Sequence, residues 1–318
     1  MGITLFTLFV LFVVIFCVYR WWNRPGRCFS KACLDGKTVI VTGANTGIGK
    51  ETVKDFINRG ATVIMGCRSL SRGNQAADDI KSVTGNSDRV VVRQLDLGSL
   101  KSINVFAENF LKEFSELHIL VNNAGIMMCP YTLTEDGFEQ QFGVNHLGHF
   151  ALTNLLLPRM KESGPGGRIV NVSSNGHIPF AYFNLDDLLW KSNRYNSIKA
   201  YAQSKLCNVL FTKELHRRLG SEGIYSYALH PGVVSTELMR HSNLMMFSNL
   251  LFSRFFKTPE EGAQTNIYCS VQEGLESLSG EYFADCAQTK SHKWTHDVEK
   301  AKALWKMSEQ LSGVKYPF

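Results

Sequence analysis

The sequence lacks the cysteine pattern of either a disulfide framework or a zinc site. Its eight cysteines are scattered along 318 residues without a single C-x-x-C pair. His292 and His296 have no acidic or cysteine partner at ligand spacing, so we predict no metal site. There is also no internal repeat and no low-complexity tract. With 44% hydrophobic and 19% charged residues, the composition is that of a globular chain with reduced thiols.

Net positive charge is small outside one short stretch. The formal net charge is +6, but Arg20, Arg24, Arg27 and Lys31 supply four of these charges within a dozen residues. The rest of the chain is nearly neutral. We therefore expect no nucleic-acid partner.

Long apolar runs are absent except at the N-terminus. Residues 3–19, ITLFTLFVLFVVIFCVY, carry no charge. As a helix they span about 25 Å, close to the thickness of a thin bilayer core. Tyr19, Trp21 and Trp22 follow where interfacial aromatics belong, ahead of the basic cluster. This order predicts a single-pass membrane anchor whose C-terminal side faces the cytosol.

A cleaved signal peptide is the alternative for this run. It requires a basic n-region and a small-residue cleavage site, and the sequence has neither. We therefore divide the chain into an anchor at 1–22, a basic linker at 23–36 and a folded domain at 37–318. Cys28 and Cys33 stand near the membrane, where palmitoylation is an alternative to ordinary linker thiols.

From Lys37 onward, short apolar runs alternate with longer amphipathic ones. Helices are predicted between the strands, including Gly47–Asn58, Leu100–Phe114 and Tyr201–Leu219. This alternation predicts an α/β fold, a doubly wound Rossmann-type sheet of seven parallel strands that binds ligands at the strands' carboxyl ends. The predicted strands are 38–42, 61–66, 89–95, 117–122, 168–173, 224–230 and 281–285.

A glycine-rich turn, residues 42–49 (TGANTGIG), joins the first strand to the first helix. Glycines let the backbone approach a pyrophosphate, and a helix N-terminus offers free N–H groups. A merely tight turn is the alternative. The position between a strand and a helix favours the phosphate-binding interpretation.

Three motifs in this order resemble the short-chain dehydrogenase/reductases. They are T-G-x-x-x-G-I-G at 42–49, N-N-A-G at 122–125 and the pair Tyr201-x-x-x-Lys205. The resemblance covers about residues 37 to 290. Longer strings at 44–52, 126–131 and 144–150 look like the microsomal retinol dehydrogenases of the retinal-reductase branch. That branch also carries an N-terminal anchor, which implies a location in the endoplasmic reticulum membrane.

The resemblance implies a catalytic group. Tyr201 would exchange a proton with the substrate oxygen, Ser174 would hydrogen-bond that oxygen, and Asn145 would hold a proton-relaying water. Lys205 would hold the nicotinamide ribose and lower the pKa of Tyr201. Residues four apart on a helix share one face, and a nearby ammonium favours the phenolate.

The family also implies a nicotinamide dinucleotide site. Arg68 ends the second strand, where an acidic residue would bind the adenosine 2′-hydroxyl and an arginine can meet the 2′-phosphate of NADP. We therefore predict NADPH as cofactor, with a solvated arginine as the alternative. The predicted contacts are Gly43, Ala44, Asn45, Thr46, Gly47, Ile48, Gly49, Arg68, Asp96, Asn123, Ala124, Gly125, Tyr201, Lys205, Pro231 and Thr236.

Two of these assignments have a competitor nearby. Ser173 precedes Ser174, and in strand alternation the two side chains point to opposite faces, so only one can serve. A second Tyr-x-x-x-Lys pair starts at Tyr195, six residues before Tyr201. Tyr195 stands among loop and cap residues, whereas Tyr201 opens the family-like string, which favours Tyr201.

The substrate side is strongly apolar. Residues Leu244 to Phe256 are rich in Met, Leu and Phe, which indicates either a core helix or a wall for a flexible apolar ligand. His149, Phe180 and Tyr182 are further candidates for the substrate wall. With the anchor, these features suggest a retinoid. Steroids or lipid aldehydes are the alternative substrates, and a catalytically idle scaffold is the alternative class.

Overall fold

The computed structural model describes residues 25–85, 88–191, 194–234 and 256–318. Within these ranges no helix combines the length and the hydropathy needed to cross a bilayer. The predicted anchor, residues 1–22, lies outside them, as do Thr236 and nearly all of the apolar segment 244–256.

Strands and helices alternate as the sequence predicts. The strands are β1 (Thr38–Thr42), β2 (Thr62–Cys67), β3 (Val90–Gln94), β4 (Ile119–Asn122), β5 (Gly167–Val172), β6 (Ile224–His230), β7 (Tyr282–Ala284) and β8 (Ala287–Gln288). The long helices are α1 (Gly47–Asn58), α2 (Leu70–Thr84), α3 (Leu100–Glu113), α4 (Gly148–Glu162), α5 (Ser197–Leu219), α6 (Pro259–Val271) and α7 (Val298–Ser312). A π-helical turn, Gly143–Leu147, leads into α4.

The sheet has eight strands in the order β3-β2-β1-β4-β5-β6-β7-β8. The seven predicted parallel strands are present as β1 to β7, and the predicted sheet is one strand short, because β8 adds an antiparallel edge to β7. Asp285 and Cys286 form the connecting turn with positive φ angles. A two-residue strand carries no period that a sequence pattern could reveal.

Both faces of the sheet are covered, so its central strands read as continuous apolar runs. Val39 and Val41 point to one face and pack with α1, α2 and α6, whereas Ile40 points to the other and packs with α3, α4, α5 and α7. This double burial fixes the register of the strands and therefore the positions of the loops at their carboxyl ends.

Candidate active site

A cavity of about 500 Å³ opens at the carboxyl ends of the parallel strands. It lies where the strand order reverses between β1 and β4, the usual ligand position in such sheets. Ala44 and Asn145 are buried beside it rather than on its wall. The predicted site residues that line it are Gly43, Asn45, Thr46, Gly47, Ile48, Gly49, Arg68, Asp96, Asn123, Ala124, Gly125, Ser174, Tyr201, Lys205 and Pro231.

The glycine loop is shaped by close contact with the loop after β4. A Cβ on Gly43 would lie 2.8 Å from the Cα of Ala124, and a Cβ on Gly49 would lie 2.6 Å from Asn123 Nδ2. Gly43 also has a φ of +64°. The Thr42 hydroxyl accepts hydrogen bonds from the backbone N–H groups of Asn123 and Ala124, both at 2.9 Å. The two loops therefore form one rigid wall.

The N-terminus of α1 forms part of this wall, and no side chain caps it. Its N-cap residue, Thr46, makes no side-chain capping bond, and no acidic residue stands in the first turn. By contrast, Ser69 caps α2 and Ser99 caps α3. The first N–H groups of α1 and its positive dipole end thus face the cavity, which suits a phosphate.

The end of β2 adds positive charge to the wall. Arg68 lines the cavity as predicted. Ser69 and Arg72 also line it, although the sequence analysis does not predict them. Arg72 stands on the first turn of α2, four residues after Arg68, so a second arginine soon after the strand was the available sequence signal. Asp96, across the cavity, accepts a hydrogen bond from Gly98 N–H at 2.9 Å.

Tyr201, Ser174 and Lys205 converge at the other end of the cavity. Ser174 is hydrogen-bonded to the Tyr201 hydroxyl. Lys205 Nζ lies 5.8 Å from the centroid of the Tyr201 ring and donates to Val172 O at 3.0 Å. Both Tyr201 and Lys205 are buried on α5.

Burial decides the protonation of this group. It raises the pKa of Tyr201 to about 12, against the opposing effect of the Ser174 hydrogen bond, and it lowers the pKa of Lys205 to about 8. For Tyr201 the direction is opposite to the one expected from the sequence. The free-energy cost of removing the charged phenolate from water exceeds the stabilisation that the Ser174 hydrogen bond gives it, so the neutral phenol is favoured. Tyr201 thus holds its proton at neutral pH.

The two adjacent serines separate as strand alternation requires. Ser173 Oγ is buried and donates to Lys205 O at 2.6 Å, which ties the end of β5 to α5. Ser174 Oγ is the one beside Tyr201, and it accepts a hydrogen bond from Gly176 N–H at 3.1 Å. Only Ser174 is therefore positioned to meet a substrate oxygen.

Asn145 lies in the π-helical turn, and its side chain is hydrogen-bonded to the loop after β4. Its Oδ1 accepts from Ile126 N–H and its Nδ2 donates to Ile126 O, both at 2.9 Å. Nδ2 also donates to Ser204 Oγ at 2.9 Å. The side chain thus holds this loop against α5 directly behind Lys205.

Of the three candidates for the substrate wall, Phe180 lines the cavity and the other two do not. His149 is buried, and its ring nitrogens bond Thr42 Oγ1 at 2.9 Å and Asn145 O at 3.0 Å. Tyr182 packs on Trp190 with ring centroids 4.8 Å apart. His149 is instead a buried link between the glycine loop and the π-helical turn.

Tyr195 lies outside α5, as its local sequence predicts, because Asn196 caps the helix. The Tyr195 hydroxyl donates to Cys129 O at 3.1 Å and lies 3.0 Å from the buried Glu139 carboxylate. Gln141 Nε2 donates to the same hydroxyl at 2.7 Å. Tyr195 therefore supports the loop at 127–129 and is not on the cavity wall.

Buried neutral histidines predict acid sensitivity. Burial lowers the pKa of His146 to about 3 and those of His149, His177 and His230 to about 4. Unfolded histidines titrate near 6.5, so between pH 6.5 and 4 the unfolded state binds more protons. As the pH is lowered through this range, we expect the free energy of unfolding to decrease by up to about 1.4 kcal/mol per pH unit for each of these histidines.

Urea unfolding of the detergent-solubilised chain at pH 7.5, 6 and 5 measures this loss of stability. The exposed His296 serves as the control site, because His296→Gln removes a histidine without changing the buried ones. A free energy of unfolding that stays flat across this range would contradict the buried neutral state.

Comparison with known proteins agrees with this geometry. The family model described as short chain dehydrogenase matches residues 37–184. The chain is 51% identical to human retinol dehydrogenase 12, over 92% of this chain and 91% of that protein. It is 49% identical to human retinol dehydrogenase 13, over 92% and 89% of the two chains.

Solved structures match the same fold. An uncharacterized protein from Mycobacterium paratuberculosis superposes with a TM-score of 0.73 at 39% identity, covering 90% of this chain and 97% of that one. A 3-ketoacyl-(acyl-carrier-protein) reductase from Brucella melitensis, solved with NADH, gives 0.62 at 25% identity, covering 79% and 96%. These relatives show that the chain, with its glycine loop and its Ser174–Tyr201–Lys205 group, belongs to the short-chain dehydrogenase family of oxidoreductases.

Proposed function

We propose that the protein is a membrane-anchored, NADPH-dependent retinal reductase that also runs in reverse as a retinol dehydrogenase. The observation that carries this proposal is one continuous cavity. Its phosphate-binding end holds the glycine loop and Arg68, and its other end holds Ser174, Tyr201 and Lys205. The retinol dehydrogenases at about 50% identity support the retinoid as substrate.

The residues present fit a nicotinamide dinucleotide. The uncapped N–H groups of α1 and the glycine backbone at 43–49 suit its pyrophosphate. Arg68, Ser69 and Arg72 suit a 2′-phosphate, and no acidic residue follows β2 before Asp78. This set supports NADP over NAD. When bound, the nicotinamide supplies the hydride for reduction or accepts it in oxidation.

The chain's own residues manage the proton and the substrate oxygen. Ser174 donates a hydrogen bond to the carbonyl oxygen, and Tyr201 gives that oxygen its proton as charge develops. The raised pKa of Tyr201 keeps the proton in place until then. The Lys205 ammonium stabilises the phenolate left behind. In alcohol oxidation the same groups take the proton back.

The substrate end of the cavity is apolar. Met127 and Met128 line it from the loop after β4, and Phe180 and Val233 line it near the surface. Methionines adapt to flexible apolar ligands, which suits a polyene chain. The same walls admit steroids or lipid aldehydes, the alternative substrates.

A turnover panel tests the function. Retinals, steroids and aliphatic aldehydes are each offered with NADPH and with NADH, and we expect the highest kcat/KM for a retinal with NADPH. A preference for steroids or aliphatic aldehydes would select the alternative enzyme. Nucleotide binding without turnover of any carbonyl would instead indicate a scaffold.

The anchor sets the location, which we propose to be the endoplasmic reticulum membrane with the domain in the cytosol. The basic residues after the apolar run support this orientation. Protease added to sealed microsomes should therefore digest residues 37–318. Full protection of the domain in sealed vesicles, with digestion after detergent, would reverse the topology.

A further inference from the structure

Residues 25–34 form a strap that is bound along one side of the domain. Cys28 N–H donates to Gln264 Oε1 at 3.1 Å, and Ser30 Oγ donates to Val271 O at 3.3 Å, so the strap follows α6. Arg59 Nη1 donates to Ser30 O at 2.8 Å and to Ala32 O at 3.1 Å. The strap thus has a fixed path up to its first residues.

That path begins at the rim of the cavity. Gly26 N–H lies 3.4 Å from Asp285 Oδ1, and a Cβ on Gly26 would overlap the Asp285 backbone. The same Asp285 oxygen accepts from Lys257 Nζ at 2.5 Å, and Lys257 Nζ donates to Pro231 O at 3.3 Å. Pro231 is part of the cavity wall. Two side chains therefore connect the start of the strap to the rim.

The chain before the strap is too short to let this rim move far from a membrane. Gly26 comes only seven positions after Tyr19, the end of the apolar run. Fully extended, this stretch spans at most about 25 Å. Were the strap free as far as Leu34, the reach would double to about 50 Å. Binding of the strap therefore halves the maximum distance that the chain can span between the apolar run and the folded domain.

The rim itself is apolar and exposed. Val233, Phe180 and Ile198 line the cavity and are 53%, 52% and 38% exposed. Ile178, close to Phe180 in sequence, is 39% exposed. Exposed apolar side chains around a cavity mouth suit contact with lipid better than contact with water.

We propose that the strap holds the rim of the cavity, Val233, Phe180 and Ile198, against the lipid surface, so that a lipophilic substrate enters directly from the bilayer. The occupant of this surface is the membrane that carries the chain's own N-terminal run. The inference rests on the proposed anchor and deepens the proposed function, because it assigns the route by which the substrate arrives.

Lipid quenching of a fluorescent label tests this orientation without measuring activity. The full chain is reconstituted into phosphatidylcholine vesicles that contain a lipid-bound quencher. The label is placed at Val233→Cys on the rim or at Val83→Cys, an exposed valine at the far end of α2. The background variant replaces with serine the described cysteines that are not buried, Cys28, Cys33 and Cys286, and also Cys17 in the apolar run.

We expect the label at Val233→Cys to be quenched severalfold more strongly than the label at Val83→Cys. A flexible Gly/Ser insertion of about a dozen residues between Arg24 and Pro25 should remove the difference, since it lengthens the tether. Arg59→Ala, which frees the strap, should act in the same direction. Equal quenching at the two sites, or a difference that survives the insertion, would overturn the proposal.

The two proposals fail separately. Protein that floats with the vesicles and reduces retinal but shows equal quenching has the proposed function without this orientation. Protein that does not float lacks the anchor, and then the orientation is wrong as well. Turnover is measured on the unlabelled background variant, because a label at Val233 stands on the cavity wall. Stronger quenching at Val233→Cys, with no retinal turnover by the unlabelled protein, supports the orientation and overturns the substrate.

Discussion

Tyr201→Phe is expected to lower kcat by about a hundredfold or more while nucleotide binding and the fold persist, because it removes the general acid and little else. The ring of Tyr201 is buried, and phenylalanine preserves its packing. Ser174 remains beside the site but has lost the hydroxyl it bonds. Steady-state kinetics with retinal and a nucleotide-binding titration measure the two effects.

The chain supplies its own control, Tyr195→Phe. The Tyr195 hydroxyl is bonded to the buried Glu139 and to Gln141, away from the cavity wall. Its removal leaves each of these buried partners without one of its hydrogen bonds, which should lower the free energy of unfolding by about 1–3 kcal/mol. The kcat should change only a few-fold. A dead Tyr195→Phe beside a nearly unaffected Tyr201→Phe would refute the catalytic assignment.

Arg68→Asp should weaken NADPH binding at least about tenfold, since a charge-assisted contact to phosphate contributes about 1.5–3 kcal/mol. The new carboxylate can accept from a ribose 2′-hydroxyl, so binding of NADH should improve. The ratio of kcat/KM for the two nucleotides is the measurement. Arg72→Ala should also reduce NADPH binding, because Arg72 lines the same part of the cavity.

Lys112→Asp is the matched control for the charge change. Lys112 is exposed in the last turn of α3, away from the cavity wall. It makes the same change in net charge without touching the cofactor end. A nucleotide preference that Arg68→Asp leaves unchanged, or that Lys112→Asp shifts equally, would show that Arg68 does not select the phosphate.

Elements with a strong period were predictable from the sequence. β1, β6 and α1 have the predicted bounds, and the ends of the other strands differ by one or two residues. Two-sided burial makes each strand an apolar run, and the glycine loop marks the start of α1. The separation of Ser173 from Ser174 also followed from strand alternation alone.

Other features carry no local pattern. The start of α5 was placed at Tyr201, but the helix begins four residues earlier at Ser197, behind the cap of Asn196. The π-helical turn around Asn145 arises from tertiary packing against Ile126 and Ser204. The protonation of Tyr201 depends on how deeply the ring is buried, which a sequence reading of neighbouring charges does not measure.

The two ends of the sheet bear on how such a protein resists aggregation. Unpaired backbone on an edge strand is a template for pairing with another chain. Here one edge is the two-residue β8. The other, β3, has Arg93 paired with Glu113 at 2.6 Å, a charge pair beside its exposed backbone. A neighbouring copy therefore finds little continuous, uncharged strand to extend.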